Sequence, residues 1–275
     1  MSGGEGRRKT VLLRPPEGAP EPPGRDKGGE EKPFLDHLED LRWVLLKIVA
    51  AWASATVLAF AFAPRLLSLV RQPLERMLER SGETAAAAGI LRSLSPADTF
   101  LMSFKLAGLF GLIVSLPIIL WVVGRFLLPA LTAAERRLLL PAFLFGGGLF
   151  AAGVLFAYAA ILPVTLSFFW SYTRRLGIRP EWTVGSYVSL VGQLILAFGL
   201  AFEFPAVILL LVKLGVVTYD MLRKIRPYAV VIILIVAGVL TPPDVVTQVL
   251  MAVPLLALYE LCVQLSRVIA RKRAS

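Results

Sequence analysis

The 275-residue sequence predicts an all-α integral membrane protein with six transmembrane helices. Three observations carry that prediction. Apolar residues make up 57% of the chain and charged residues 17%, against ~45–50% and ~25% in soluble domains, more apolar area than a water-facing surface can hide. Apolar runs recur six times, four of them long enough for a bilayer crossing and the last two shorter. A lone carboxylate, Glu203, stands inside one of the most apolar of them, Gly199-Leu200-Ala201-Phe202-Glu203-Phe204-Pro205. At a helix centre in hydrocarbon it costs roughly 2.5–3.5 kcal/mol on insertion scales, so it faces a protein interior or wet groove.

Residues 1–33 are rich in Gly, Pro and charge and lack apolar periodicity, which predicts a disordered tail. Within it Arg7-Arg8-Lys9 precedes an apolar run of three residues, shorter than the ~7–15 of an export signal, and reads as a basic tail. Residues 34–266 form the six-helix membrane domain, and 267–275 a basic C-terminal tail. The spans fall at about residues 43–63, 104–128, 138–168, 188–212, 228–240 and 245–263. Arg226, Asp244 and Glu260 bracket the last two tightly. Both are therefore predicted to be shorter than the ~20 residues of a straight crossing, beside a locally thinned bilayer. In the connection 64–103, Leu66, Leu67, Val70, Leu74, Met77 and Leu78 recur at helical spacing and predict an amphipathic helix.

Orientation follows from Lys and Arg. Placing both ends in the cytoplasm puts 20 of them on inner segments and 8 on outer ones, with Lys105 at an outer helix end, the asymmetry of a multi-pass cell-membrane protein with both termini inside. The net charge of +10 is thereby assigned to membrane flanks and not to nucleic acid. Cys262 is the one cysteine and His37, ahead of the first span, the one histidine. That excludes an internal disulfide, a cysteine metal cluster and Ser-His or His-metal chemistry within the membrane. No metal, cofactor or enzymatic constellation is predicted.

Several polar groups carry two readings. Asp36, Glu39 and Asp40 lead into the first span, either as an anionic cluster that captures a cationic peptide or as acids complementing a helix dipole. Glu135, ahead of Arg136-Arg137, opens the third span on the same predicted face, and a paired-arginine ligand needs two such acids. Gly146-Gly147-Gly148 and Gly153 suit close helix packing. Pro205 frees backbone groups beside Glu203, for which Gln193 and Gln248 are candidate partners, in a structural or a functional role. Pro243 and Asp244 suit a tight turn with an acidic first helical turn.

Taken in order, His37-Leu38-Glu39-Asp40-Leu41-Arg42, Ala130-Leu131 through Glu135-Arg136-Arg137, Phe202-Glu203-Phe204-Pro205, Arg226-Pro227-Tyr228 and Thr241-Pro242-Pro243-Asp244 resemble the motifs of the TatC family over about residues 34–265. The resemblance implies a concave, glove-like six-helix receptor for twin-arginine signal peptides. It implies assembly with TatA- and TatB-type single-span partners and with further copies of itself, to export folded proteins on the proton-motive force. By motif match, Asp40 and Glu135 bind the paired arginines, and Phe126 and Pro129 shape that site. Glu203 and Gln248 line an intramembrane patch for partner helices, and Pro73 belongs to the outer cap, with Asp244 in the loop between the last spans. The family has two glutamates where this chain has Glu39-Asp40, so either the site sits slightly differently or Glu39 shares the role. The rival reading is a proton-coupled secondary transporter with Glu203 as relay; it predicts internal repeats, and no convincing repeat is present.

Overall fold

A computed structural model describes residues 32–82, 90–127, 133–240 and 245–274. The chain divides into two compact units, Met1–Asp40 and Leu41–Ser275. In the first, residues 32–40 are helical, with Leu38, Glu39 and Asp40 exposed. The predicted N-terminal tail, apart from its last two residues, lies outside the described residues.

The elements are α1 (Lys32–Ala61), α2 (Ala63–Arg80), β1 (Leu91–Arg92), α3 (Pro96–Leu127), α4 (Ala133–Phe156), a π turn (Ala157–Ile161), α5 (Leu162–Arg175), β2 (Trp182–Thr183), α6 (Val184–Leu214), α7 (Tyr219–Leu240) and α8 (Val245–Ala274). Among the described residues five stretches are long and apolar enough to cross a membrane: Leu38–Ala61, Pro96–Phe126, Leu140–Arg175, Val184–Leu214 and Thr247–Ile269. Helix α7, the predicted fifth span, is not among them. Asp220, Arg223, Lys224 and Arg226 occupy its first half, leaving about 14 apolar residues, ~21 Å of helix against a ~30 Å hydrocarbon core. The expectation that the last span is also short is corrected. Its apolar stretch has 23 residues, and α8 runs on to Ala274 through most of the predicted basic tail. Glu260, read as its boundary, is instead absorbed by Arg226 at 2.7 Å and by Gln264 at 2.7 Å, so the helix continues past it.

The core centres on α6, whose Val188, Val191, Leu194 and Phe198 are buried with Leu106 of α3, Leu162 and Leu166 of α5 and Met251 of α8. Thr183 caps α6 by accepting from Ser186 N at 3.1 Å, and Gly215, at φ 80°, ends it in the left-handed region that glycine tolerates. The third crossing is one helical run from Ala133 to Arg175, interrupted by the π turn directly ahead of Pro163. There Leu162 N donates to Ala157 O, five residues back, because the proline ring and its missing N–H disturb the ordinary ladder. Helix α1 is lightly held: only 6% of its apolar window is buried. Trp52 Nε1 donates to Gly108 O at 3.0 Å, and Gly111 admits the backbone of Thr56.

The predicted stripe on α2 is its packed face, with Val70, Leu74, Met77 and Leu78 buried and Leu66 and Leu67 against the same core. Unforeseen from the sequence is a two-residue parallel pairing of β1 with β2, Leu91 opposite Trp182.

Candidate functional site

Glu203 sits half-buried in α6, two residues before Pro205, on the seam between α6 and α4. That seam is built from glycines. A Cβ at Gly146 would lie 2.8 Å from Glu203 Oε2, and one at Gly153 would lie 2.6 Å from Phe198 O. From the other side, a Cβ at Gly199 would lie 2.7 Å from the Phe150 ring. Gly147 and Gly148 meet nothing within 4 Å, so only two of the four glycines singled out in this span serve the contact. Phe156 closes the seam, its ring 5.7 Å from those of Phe198 and Phe202. Within this apolar wall Glu203 Oε1 is buried and has no hydrogen-bond partner among the described residues. Such an atom pays its desolvation without compensation, unlike most buried polar groups.

Neither glutamine completes it. Gln248 Nε2 donates to Leu234 O of α7 at 2.9 Å, and Gly238 provides the space it occupies. The candidate Gln248–Glu203 hydrogen bond is not formed among the described residues: the amide instead holds α8 on α7. Gln193 lines a different cavity with Asp98, Lys105 and Ser189, ten residues or ~15 Å of helix rise from Glu203.

Glu39 and Asp40 are exposed on α1. Glu135 is the third residue of α4. Phe126 is half-buried in the last turn of α3. Pro129 and Asp244 lie outside the described residues.

Pro73 is buried inside α2, and its consequence was missed in the sequence. Lacking an N–H, it leaves the Leu69 carbonyl without its i+4 donor. Tyr158 Oη, from the π turn, donates to that carbonyl at 2.7 Å, and Tyr187 Oη, from α6, donates to Val70 O at 2.7 Å. Two spans thus grip successive carbonyls of α2. A second omission is the clasp between α7 and α8: the Arg226–Glu260 ion pair, plus Tyr259 Oη donating to Leu222 O at 2.6 Å. Its signal was available, since Arg226 and Glu260 are opposite charges at the matching ends of two consecutive antiparallel spans.

Comparison with known proteins accords with this arrangement. The family model described as "Sec-independent protein translocase protein (TatC)" matches residues 36–254. A Sec-independent protein translocase protein TatC of Akkermansia muciniphila is 44% identical over 195 residues, 70% of this chain and 56% of that protein. The TatC of Aquifex aeolicus is 37% identical over 243 residues, 88% of this chain and 97% of that one, and that of Escherichia coli K12 is 36% identical over 238 residues, 86% and 89% of the two chains. The fold is similar to a crystal structure of a twin-arginine translocase receptor, TatC, with TM-score 0.75 and 35% identity, over 84% of this chain and 98% of that one. The family is a non-enzymatic component of a protein translocase. On a family match that spans all five of its sequence motifs, the chain belongs to the TatC family.

Proposed function

We propose that the chain is the membrane receptor subunit of a twin-arginine translocase, recognising signal peptides from the cytoplasm and assembling with TatA- and TatB-type single-span partners to export folded proteins on the proton-motive force. The observation that carries this reading is the TatC match over residues 36–254, inside which each motif stands in family order. The similarity to a crystal structure of a twin-arginine translocase receptor supports it further. In the proposal α7 completes a sixth crossing in the glove-like arrangement that the family resemblance implies, and the inner excess of Lys and Arg sets both termini in the cytoplasm.

Glu39, Asp40 and Glu135 are the proposed guanidinium ligands, since carboxylates accept paired, charge-assisted hydrogen bonds that the planar arginine fork fits and lysine does not. Phe126 and Pro129 shape that site, and Asp244 and Pro73 belong to the loop and cap. Glu203 and Gln248 serve partner helices: Oε1 of Glu203 stands without a partner, an acceptor that a hydroxyl or amide from an incoming helix can satisfy. The test is photocrosslinking of a twin-arginine peptide and its Lys-Lys version. Glu135→Gln is expected to lose most of the arginine-specific yield at unchanged abundance, since a hydrogen bond to a charged group contributes ~1.5–3 kcal/mol. Undiminished crosslinking refutes the assignment.

A further inference from the structure

Between α2 and the third crossing lies a notch of about 230 Å³. Its α2 wall presents Arg76 and Arg80, one helical turn apart and both exposed, and its far wall is Tyr158 and Ala159 of the π turn and Ser167 of α5. Among the described residues no carboxylate lines it. Among the described residues Arg76 makes one hydrogen bond, Nη2 to Gln72 Oε1 at 3.3 Å, and Arg80 makes no hydrogen bond or ion pair, although Glu75 and Glu79 stand on the same helix. Ser167 Oγ is likewise unbonded. Two guanidinium groups with no carboxylate partner among the described residues, sharing a notch with a hydroxyl from a membrane crossing, form a site for a tetrahedral oxyanion.

The surface that leaves this notch fixes the source of the anion. Ala159, Leu155 and Ala152 are exposed and descend one side of the crossing from the notch into its apolar stretch. A free phosphate has no use for that stripe, whereas an acyl chain packs on it. The arginines also lie on the segment that the charge asymmetry assigns to the outer side, where basic residues are disfavoured and so call for a local reason.

We propose that this notch binds the phosphate of an anionic diacyl phospholipid, held by Arg76 and Arg80 with help from Ser167, its acyl chain lying on Ala159, Leu155 and Ala152. The inference is independent of signal-peptide recognition and needs only that α2 lie at a bilayer boundary. Bound lipid would brace α2 against the third crossing beside the Tyr158–Leu69 hydrogen bond.

The test is native mass spectrometry of the full chain released from micelles that hold phosphatidylglycerol or phosphatidylcholine. The wild type is expected to retain phosphatidylglycerol preferentially. Arg76→Gln/Arg80→Gln is expected to lower its retention by on the order of tenfold, as for the loss of charge-assisted hydrogen bonds. Arg65→Gln, on the same helix but away from the notch, is expected to leave it unchanged. Ala159→Trp, which fills the notch while keeping both arginines, is expected to match the double variant. Equal retention in the wild type and the double variant overturns the proposal, as does an equal loss in Arg65→Gln. Displacement by millimolar inorganic phosphate, at the same potency as by added phosphatidylglycerol, overturns the lipid as source. Should Ala159→Trp fail to fold, the double glutamine variant, altered only at exposed positions, still decides.

Discussion

Pro73 and Tyr158 should be energetically coupled through a carbonyl that belongs to neither. Pro73 withholds an N–H from Leu69 O, and Tyr158 Oη supplies the replacement at 2.7 Å. Tyr158→Phe in the wild type removes that donor. Because water reaches this hydrogen bond, the loss belongs at the level of an ordinary net hydrogen bond, ~0.5–1.5 kcal/mol. In a Pro73→Ala background the new backbone N–H takes the Leu69 carbonyl, and Tyr158→Phe should then cost close to nothing. The coupling in the double-mutant cycle is therefore expected at ~0.5–1.5 kcal/mol, whatever Pro73→Ala does by itself through helix propensity and lost ring contacts. Tyr187 supplies the internal control. It donates to Val70 O, whose i+4 residue Leu74 has its own N–H, so Pro73→Ala should leave the cost of Tyr187→Phe unchanged. Equilibrium unfolding in mixed detergent micelles, followed by tryptophan fluorescence, measures all six proteins. Equal costs of Tyr158→Phe with and without Pro73 refute the orphan-carbonyl account.

Three further outcomes are expected. Gly153→Ala should destabilise by about 1–3 kcal/mol, because its Cβ meets the Phe198 carbonyl at 2.6 Å and the helices must part. Gly148→Ala, with nothing within 4 Å, should be neutral or stabilising, and the reverse order in micelle unfolding contradicts the seam. Arg226→Gln should cost no more than ~0.5–1 kcal/mol, since the side chains of the Arg226–Glu260 pair are 39% and 46% exposed; a loss above about 2 kcal/mol shows the clasp to be far stronger than an exposed pair. Glu203→Gln should keep partner-helix crosslinks and export, while Glu203→Leu inserts and folds yet loses both. Lost transport in Glu203→Gln with normal partner and signal-peptide binding instead supports a proton relay.

The sequence disclosed features whose signal is local and periodic. The α2 stripe from Leu66 to Leu78 is a pattern of spacing, and Glu203 in an apolar run is a contrast of polarity; neither needs a partner to be seen. Features whose meaning lies in a distant residue stayed hidden. Pro73 announces a missing N–H, but Tyr158 is 89 residues from the carbonyl it bonds, and in an apolar span a tyrosine looks like packing. Gln248 could be named only as a candidate partner for Glu203, because depth alone cannot say toward which helix an amide turns; the space beside Gly238 decides that. The length of α8 was misjudged because Glu260 was read as a boundary, and a charge that finds its counter-ion no longer ends a span. At the proposed arginine site the family motifs directed attention to Glu39, Asp40 and Glu135, whereas chemistry alone favoured helix capping for the acids ahead of the first span.

The grip on α2 also sets a timetable. Tyr187 leaves the ribosome 117 residues after Val70, which at ~5–20 residues per second is a delay of ~6–23 s. Throughout that interval the nascent α2 lacks the donor from α6, and the Leu69 carbonyl waits 89 residues for its own. A bare acceptor in hydrocarbon costs several kcal/mol, whereas at an aqueous boundary water serves until the tyrosines arrive. The segment between the first two crossings can therefore be synthesised early and fastened late, and the fourth crossing completes its fastening.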